Sequence, residues 1–113
     1  MRDRIVAESF YARWMGMSVL RRFDRLTFMS DDGGFDLALM DDTAPAAMPP
    51  WFHFGYRLPS AHAVVDLHAR MSSSGVPIVK PMYQDDSLVS FRCADPDGYA
   101  IEIYWEGDRA PQV

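Results

Sequence analysis

Cysteine is nearly absent: one residue, Cys93, in a chain of 113. An internal disulfide and a Cys-rich zinc site are thereby excluded, so stability must come from packing. Long apolar runs are missing too. No stretch approaches the roughly 20 residues a membrane helix needs, and the opening Met1-Arg2-Asp3 carries no apolar signal segment, so the sequence reads as cytoplasmic, with no membrane partner. Basic charge is scarce: 11 Lys+Arg stand against 16 Asp+Glu, a net charge of −5. Without a basic cluster to neutralise a run of phosphates, the chain offers nothing to nucleic acid. Neither a Gly-rich phosphate loop nor a Ser-His-Asp order is present. Apolar material is plentiful at 49% of residues, which is enough for a core and rules out disorder over most of the chain. Eight methionines suit a core with irregular gaps or a pocket that adapts.

The pattern of apolar residues predicts a helix over 3–15, with Val6, Phe10 and Trp14 at spacing four and Tyr11 and Met15 alongside; Asp3 is its N-cap and Gly16 its stop. Short β-type runs follow at Met17 to Phe23, Leu26 to Met29 and Phe35 to Met40, the last two joined by a Ser-Asp-Asp-Gly-Gly hairpin turn. Residues 41–50, rich in Ala and Pro, form a linker. Beyond it, Trp51 to Leu58 reads as a strand and Ala61 to Met71 as a helix with Val64, Leu67 and Met71 on one face. Val76 to Val79, Leu88 to Cys93 and Tyr99 to Trp105 read as three more strands, with Asp95-Pro96-Asp97-Gly98 turning between the last two.

The two halves repeat each other. Residues 16–21 match 75–80 in type at an offset of 59 (75 less 16), and residues 31–39 match 95–103 at an offset of 64 (95 less 31). Each half is a helix followed by three strands, but only the second has a strand in front of its helix. The counterpart of His53 would fall before Met1, which leaves two readings: the first unit has lost its leading strand, or the reading frame starts late.

Alternation along strands divides the candidate residues. Trp51, His53, Gly55 and Arg57 share one face, and Phe52, Phe54, Tyr56 and Leu58 the other, which should pack under the helices. In the last strand Tyr99, Ile101, Ile103 and Trp105 form the apolar set, and Ala100, Glu102, Tyr104 and Glu106 oppose it. His53 and Glu102 thus converge on one cavity, and an imidazole beside a carboxylate is a common pair of ligands for a divalent metal; the competing reading is a solvated strand face. Arg92, on the polar side of its strand with Ser90, either joins Arg57 around an anionic group or forms a surface salt bridge to Glu106 or a loop Asp. His62 and His68 fall away from the apolar face of the second helix and should be exposed. Cys93, among apolar neighbours, reads as a small buried thiol.

The run Asp95 to Ile103 resembles the terminal turn and strand of the vicinal oxygen chelate superfamily, which groups glyoxalases, bleomycin resistance proteins and extradiol dioxygenases. His53-Phe54-Gly55-Tyr56-Arg57-Leu58 resembles the strand opening that family's second βαβββ module, and residues 3–17 resemble its first helix with the Leu-Gly-Phe that follows. The resemblance implies an α+β fold of two βαβββ-type modules: a curved, mostly antiparallel sheet with helices outside, the first module lacking its leading strand. It divides a single domain, 1–113, into module one (1–40), linker (41–50), module two (51–106) and tail (107–113). It assigns His53 and Glu102 to the second and third metal positions, with Glu102 also catalytic, and leaves the first position without a residue. Where the extradiol enzymes carry a Tyr and an upstream His, this sequence has Arg92 and Asp85-Asp86, which disfavours ring cleavage.

Two functions follow. One is a metal-dependent lyase, isomerase or transferase in which zinc, nickel, manganese or iron polarises a small oxygen-bearing substrate as a Lewis acid. The other is a protein without metal that sequesters an anionic or aromatic small molecule, in the manner of the antibiotic-binding members, with Trp51, Arg57, Arg92 and Tyr104 as pocket residues. The absent strand exposes a sheet edge, so the chain is expected to pair with a second copy as a homodimer through the edge beside Trp51 to Leu58 or the strand Phe35 to Met40.

Overall fold

The computed structural model describes residues 1–107, so the tail expected from 108 onward lies outside the described residues. These residues divide into two compact units, one built from residues 1–48 with 96–98 and the other from residues 49–95 with those from 99 onward. Both show the expected mixed α+β character. Among the described residues, no helix is long and apolar enough to cross a membrane.

In the first unit, helix α1 (Arg4–Met15) starts and stops where its ends require. Asp3 Oδ1 accepts the N–H groups of Ile5 and Val6 at 3.0 and 3.1 Å, satisfying donors that no helical carbonyl reaches. Gly16 ends the helix at φ 64°, a left-handed conformation that a Cβ disfavours. Strands β1 (Ser18–Arg22), β2 (Leu26–Ser30) and β3 (Asp36–Met40) form an antiparallel sheet in that order, with a bulge in β1 between Val19 and Arg21. The buried face of α1 differs from the expected one. Ala7, Tyr11, Trp14 and Met15 are buried, whereas Val6 is exposed and Phe10 only partly covered. Apolar residues occur all round this helix, so spacing alone did not identify the stripe that packs.

The same face buries a charge. Glu8 accepts from Thr27 Oγ1 at 2.7 Å and from Arg22 Nη2 and Nε at 2.7 and 3.1 Å. Thr27 is fully buried and Glu8 nearly so. The Arg22 hydrogen bonds hold the Glu8 carboxyl below the usual carboxylate range, against a burial effect in the opposite direction.

The second unit has sheet order β4-β7-β6-β5, from β4 (Phe54–Arg57), β5 (Ile78–Gln84), β6 (Leu88–Ala94) and β7 (Ala100–Glu106). Three strands are antiparallel, and β4 joins β7 in parallel; helix α2 (Ala61–Ser73) follows β4 and leads into β5 at the opposite edge. Ser60 caps α2 through its hydroxyl, which accepts from Ala63 N at 3.1 Å. Val64, Leu67 and Met71 pack against β6 and β7, burying Phe91, Cys93, Ile101 and Ile103.

Several boundaries depart from expectation. The strand foreseen from Trp51 begins only at Phe54, so Trp51 and His53 precede it, and Phe52, expected under a helix, is 40% exposed. A turn, Phe52 N–H to Pro49 O at 2.9 Å, keeps this approach out of the sheet. The strand foreseen over Val76 to Val79 instead runs from Ile78 to Gln84 across Pro81. Because β5 is an edge strand with irregular register, Pro81 can be accommodated without interrupting a central ladder. His68, expected to be exposed, is half-buried with its ring edge-on to Phe91 at 4.9 Å between centroids. It lies four residues from Val64 and three from Met71, on the apolar face. His62 is exposed.

Candidate functional site

The second unit's sheet has two chemically different faces. Beneath α2 lie Ile101, Ile103, Phe91 and Cys93. Alternation places Glu102, Tyr104, Arg92 and Ser90 on the opposite face, and the strand register aligns them in rows. Gly55 pairs with Glu102, Glu102 with Arg92, and Arg92 with Lys80; in the next row Arg57 pairs with Tyr104 and Tyr104 with Ser90.

Glu102 is the centre of the first row. Its Oε2 lies 3.7 Å from His53 Nε2, and its Oε1 lies 3.9 Å from Arg92 Nε. All three side chains are about one-quarter exposed. Both separations exceed hydrogen-bonding distance, so Glu102 is approached from two sides but tied to neither. His53 is oriented by its other nitrogen, Nδ1, which lies 3.3 Å from the carbonyl oxygen of Trp51. Among the described residues Arg92 Nε is buried without a hydrogen-bond partner, a costly state for a guanidinium nitrogen unless a further group meets it.

The other expected residues are placed as follows. Arg57 turns to the end of β7, where Nη2 donates to the carbonyl oxygen of Glu106; the Glu106 contact foreseen as one possibility for Arg92 is thus made by Arg57, through the backbone. Tyr104 lies over Gly55, where an added Cβ would meet Tyr104 Cε1 at 3.1 Å. Trp51 is 74% exposed and its ring is edge-on to Phe52. Lys80, which sequence reasoning missed, enters the row through a strand longer than its apolar run suggested. Asp85 is occupied by its turn, accepting from the Tyr83 hydroxyl at 2.7 Å and from Ser87 N and Leu88 N at 2.8 Å; the Tyr83 bond foremost holds its carboxyl well below the usual range. Cys93 is fully buried, and burial pushes its thiol up to about 12.

A tightly held zinc-type ion is ordinarily met by at least three protein donors. His53 and Glu102 supply two, the neighbouring group is the cationic Arg92, and no cluster of three His, Cys, Asp or Glu occurs among the described residues. The set as it stands does not fit a complete metal centre.

The match to the Glyoxalase/Bleomycin resistance protein/Dioxygenase superfamily spans residues 6–103, nearly the whole chain. The chain belongs to this superfamily. Catechol-2,3-dioxygenase of Bacillus subtilis (strain 168) is 29% identical over 115 residues, which cover 88% of this chain and 39% of that protein; the chain thus spans about two fifths of this curated relative's length. Among solved structures, the fosfomycin resistance protein FosX from Listeria monocytogenes superposes with a TM-score of 0.78 at 16% identity, covering 93% of this chain and 85% of that one. Lactoylglutathione lyase from Agrobacterium tumefaciens gives a TM-score of 0.71 at 20% identity, covering 92% and 86%. These structural likenesses establish the shared fold. Superfamily members bind small molecules, commonly use divalent metals and often dimerise.

Proposed function

We propose that this superfamily member binds a small hydroxy acid on the polar face of its four-stranded sheet. The observation that carries this reading is Glu102, set beyond hydrogen-bonding distance between His53 and an Arg92 whose Nε has no partner among the described residues. A ligand hydroxyl donating to Glu102 and ligand anionic oxygens accepting from Arg92 would satisfy both groups at once, since carboxylate and guanidinium have opposite hydrogen-bonding capacities. Lys80 adds positive charge to the same row. Arg57, turned to Glu106, serves the rim, and Trp51 offers an exposed aromatic surface beside His53.

Titration of salicylate and of lactate, each carrying one hydroxyl and one carboxylate, followed by protein NMR, tests the reading. Both should bind, and Arg92→Ala and Glu102→Gln should each weaken both by about tenfold or more, the scale of a lost charge-assisted hydrogen bond. Binding unchanged in both variants would refute it.

The 3.7 Å gap between His53 and Glu102 favours a second reading, a metal-dependent lyase, isomerase or transferase, because two donors at that separation can share one ion. It requires a third donor from outside the described residues, for which a second copy in a homodimer is the simplest source. Calorimetric titration of nickel, zinc, manganese and ferrous iron into chelator-treated protein separates the readings. We expect weak binding; submicromolar affinity abolished by His53→Ala or Glu102→Ala would establish the metal site that the second reading requires. Light scattering reports the oligomer directly.

A further inference from the structure

Glycine at position 55 has no backbone explanation. The glycines with positive φ are Gly16, Gly34, Gly75 and Gly98, so Gly55 has a conformation open to other residues. Inside a strand a glycine forfeits packing and order, a notable loss in β4, which has only four residues. The explanation is a close approach by a side chain. A Cβ here would meet Tyr104 Cε1 at 3.1 Å and Cδ1 at 3.7 Å.

Tyr104 is paired in register with Arg57, not Gly55. Its ring nevertheless leans along the strand to Gly55, the residue aligned with Glu102, while Arg57 reaches the other way to the Glu106 carbonyl. The two largest side chains of this row therefore part. The surface next to Glu102 on the β4 side is aromatic, and Arg92 remains the guanidinium beside its carboxylate. This changes what the site accepts: Arg92 and Lys80 supply positive charge from the β6 and β5 side, and on the β4 side a flat ring stands where Arg57 would have added a further cation.

We propose that Gly55 is a specificity-determining position, which by lacking a Cβ lets Tyr104 lie across β4 as a platform for the planar ring of an aromatic hydroxy acid. The inference rests on the binding reading above. Salicylate and lactate offer the same hydroxyl and carboxylate, but only salicylate has a ring to stack, and such contacts add modestly to affinity beyond the area they bury.

The test measures the ratio of the two affinities in the full-length protein. Salicylate should bind about tenfold more tightly than lactate. Gly55→Val and Tyr104→Ala should bring that ratio close to one through loss of salicylate affinity alone, Gly55→Ala should lower it partway, and Tyr104→Phe should retain it. In protein labelled with 3-fluorotyrosine, with Tyr104→Phe assigning the signal, Gly55→Val should shift the Tyr104 fluorine resonance in the absence of any ligand. A ratio unchanged in Gly55→Val and Tyr104→Ala, or an unmoved resonance, overturns the proposal while Arg92→Ala still reports on the binding reading. Binding of neither acid overturns both.

Discussion

Two glutamates show how the two units use charge differently. Glu8, in the first unit, is nearly buried and bonded to Thr27 and Arg22 at 2.7 Å. Glu102, in the second, is part-exposed and has His53 and Arg92 at 3.7 and 3.9 Å. The first arrangement is closed, since every separation is already a hydrogen bond, so it serves the packing of α1. The second is open and leaves capacity for something else. The sheets differ in the same sense. At the offset of 64 between β3 and β7, Glu102 corresponds to Ala38, and the cross-strand row Lys80, Arg92, Glu102 is matched by Arg21, Phe28, Ala38. One repeat has a carboxylate beside cations on the face away from its helix, and the other has Phe28 and Ala38 there beside a single arginine stacked on the Phe28 ring.

The sharpest way to break the contrast is to attack the face both sheets reserve for packing. Ile103→Ala, at a side chain with no exposure, should cost about 2–5 kcal/mol in chemical denaturation, whereas Ala100→Ser, on the opposite face, should be tolerated. The reverse ranking would invert the faces and remove Glu102 from the site. The next effect is smaller. Thr27→Val, which deletes a buried hydroxyl bonded to Glu8, should cost about 1 kcal/mol. Its pH dependence is distinctive. Because the folded state lowers the Glu8 pKa from 4.5, the carboxylate's contribution is present above that value and lost as pH falls through the folded one. The stability difference between the wild-type protein and Glu8→Gln should therefore hold at neutral pH and shrink below pH 4.5, as followed by denaturation across pH; a difference that grows in acid would contradict the network. The smallest change is expected at Glu102. Since its contacts to His53 and Arg92 are long and part-exposed, Glu102→Gln should alter stability by less than about 0.5 kcal/mol while weakening ligand binding. A large loss of stability would make Glu102 a structural residue like Glu8.

The start and stop of the first helix, the two-fold repeat and the face assignment of β7 were legible because each is written locally: a capping Asp3, a glycine at the helix end, alternation across residues 99–106. The Glu8 network was not, since its partners lie 14 and 19 residues away and only the packing of α1 on the sheet brings them together. Position 68 was misjudged because a polar residue was taken to mark a polar face, although a ring edge can pack on Phe91 as an apolar side chain does. At the site, His53 does lie near Glu102, but it precedes β4, so strand parity is not what places it there; parity also gave no distances, and the distances separate an open carboxylate from a salt bridge. The diverging paths of Arg57 and Tyr104 depend on rotamers that alternation does not encode.

Cys93 has a practical consequence. Its sulfur is the sole thiol of the chain, fully enclosed, and hard to ionise at neutral pH. Maleimides and iodoacetamides should leave the native protein essentially unmodified, so a cysteine introduced at an exposed position such as Val79 could be labelled selectively without first removing the native thiol. A fluorophore placed there, on the edge strand that carries Lys80, would be one residue away from the polar row and able to report its occupation in solution.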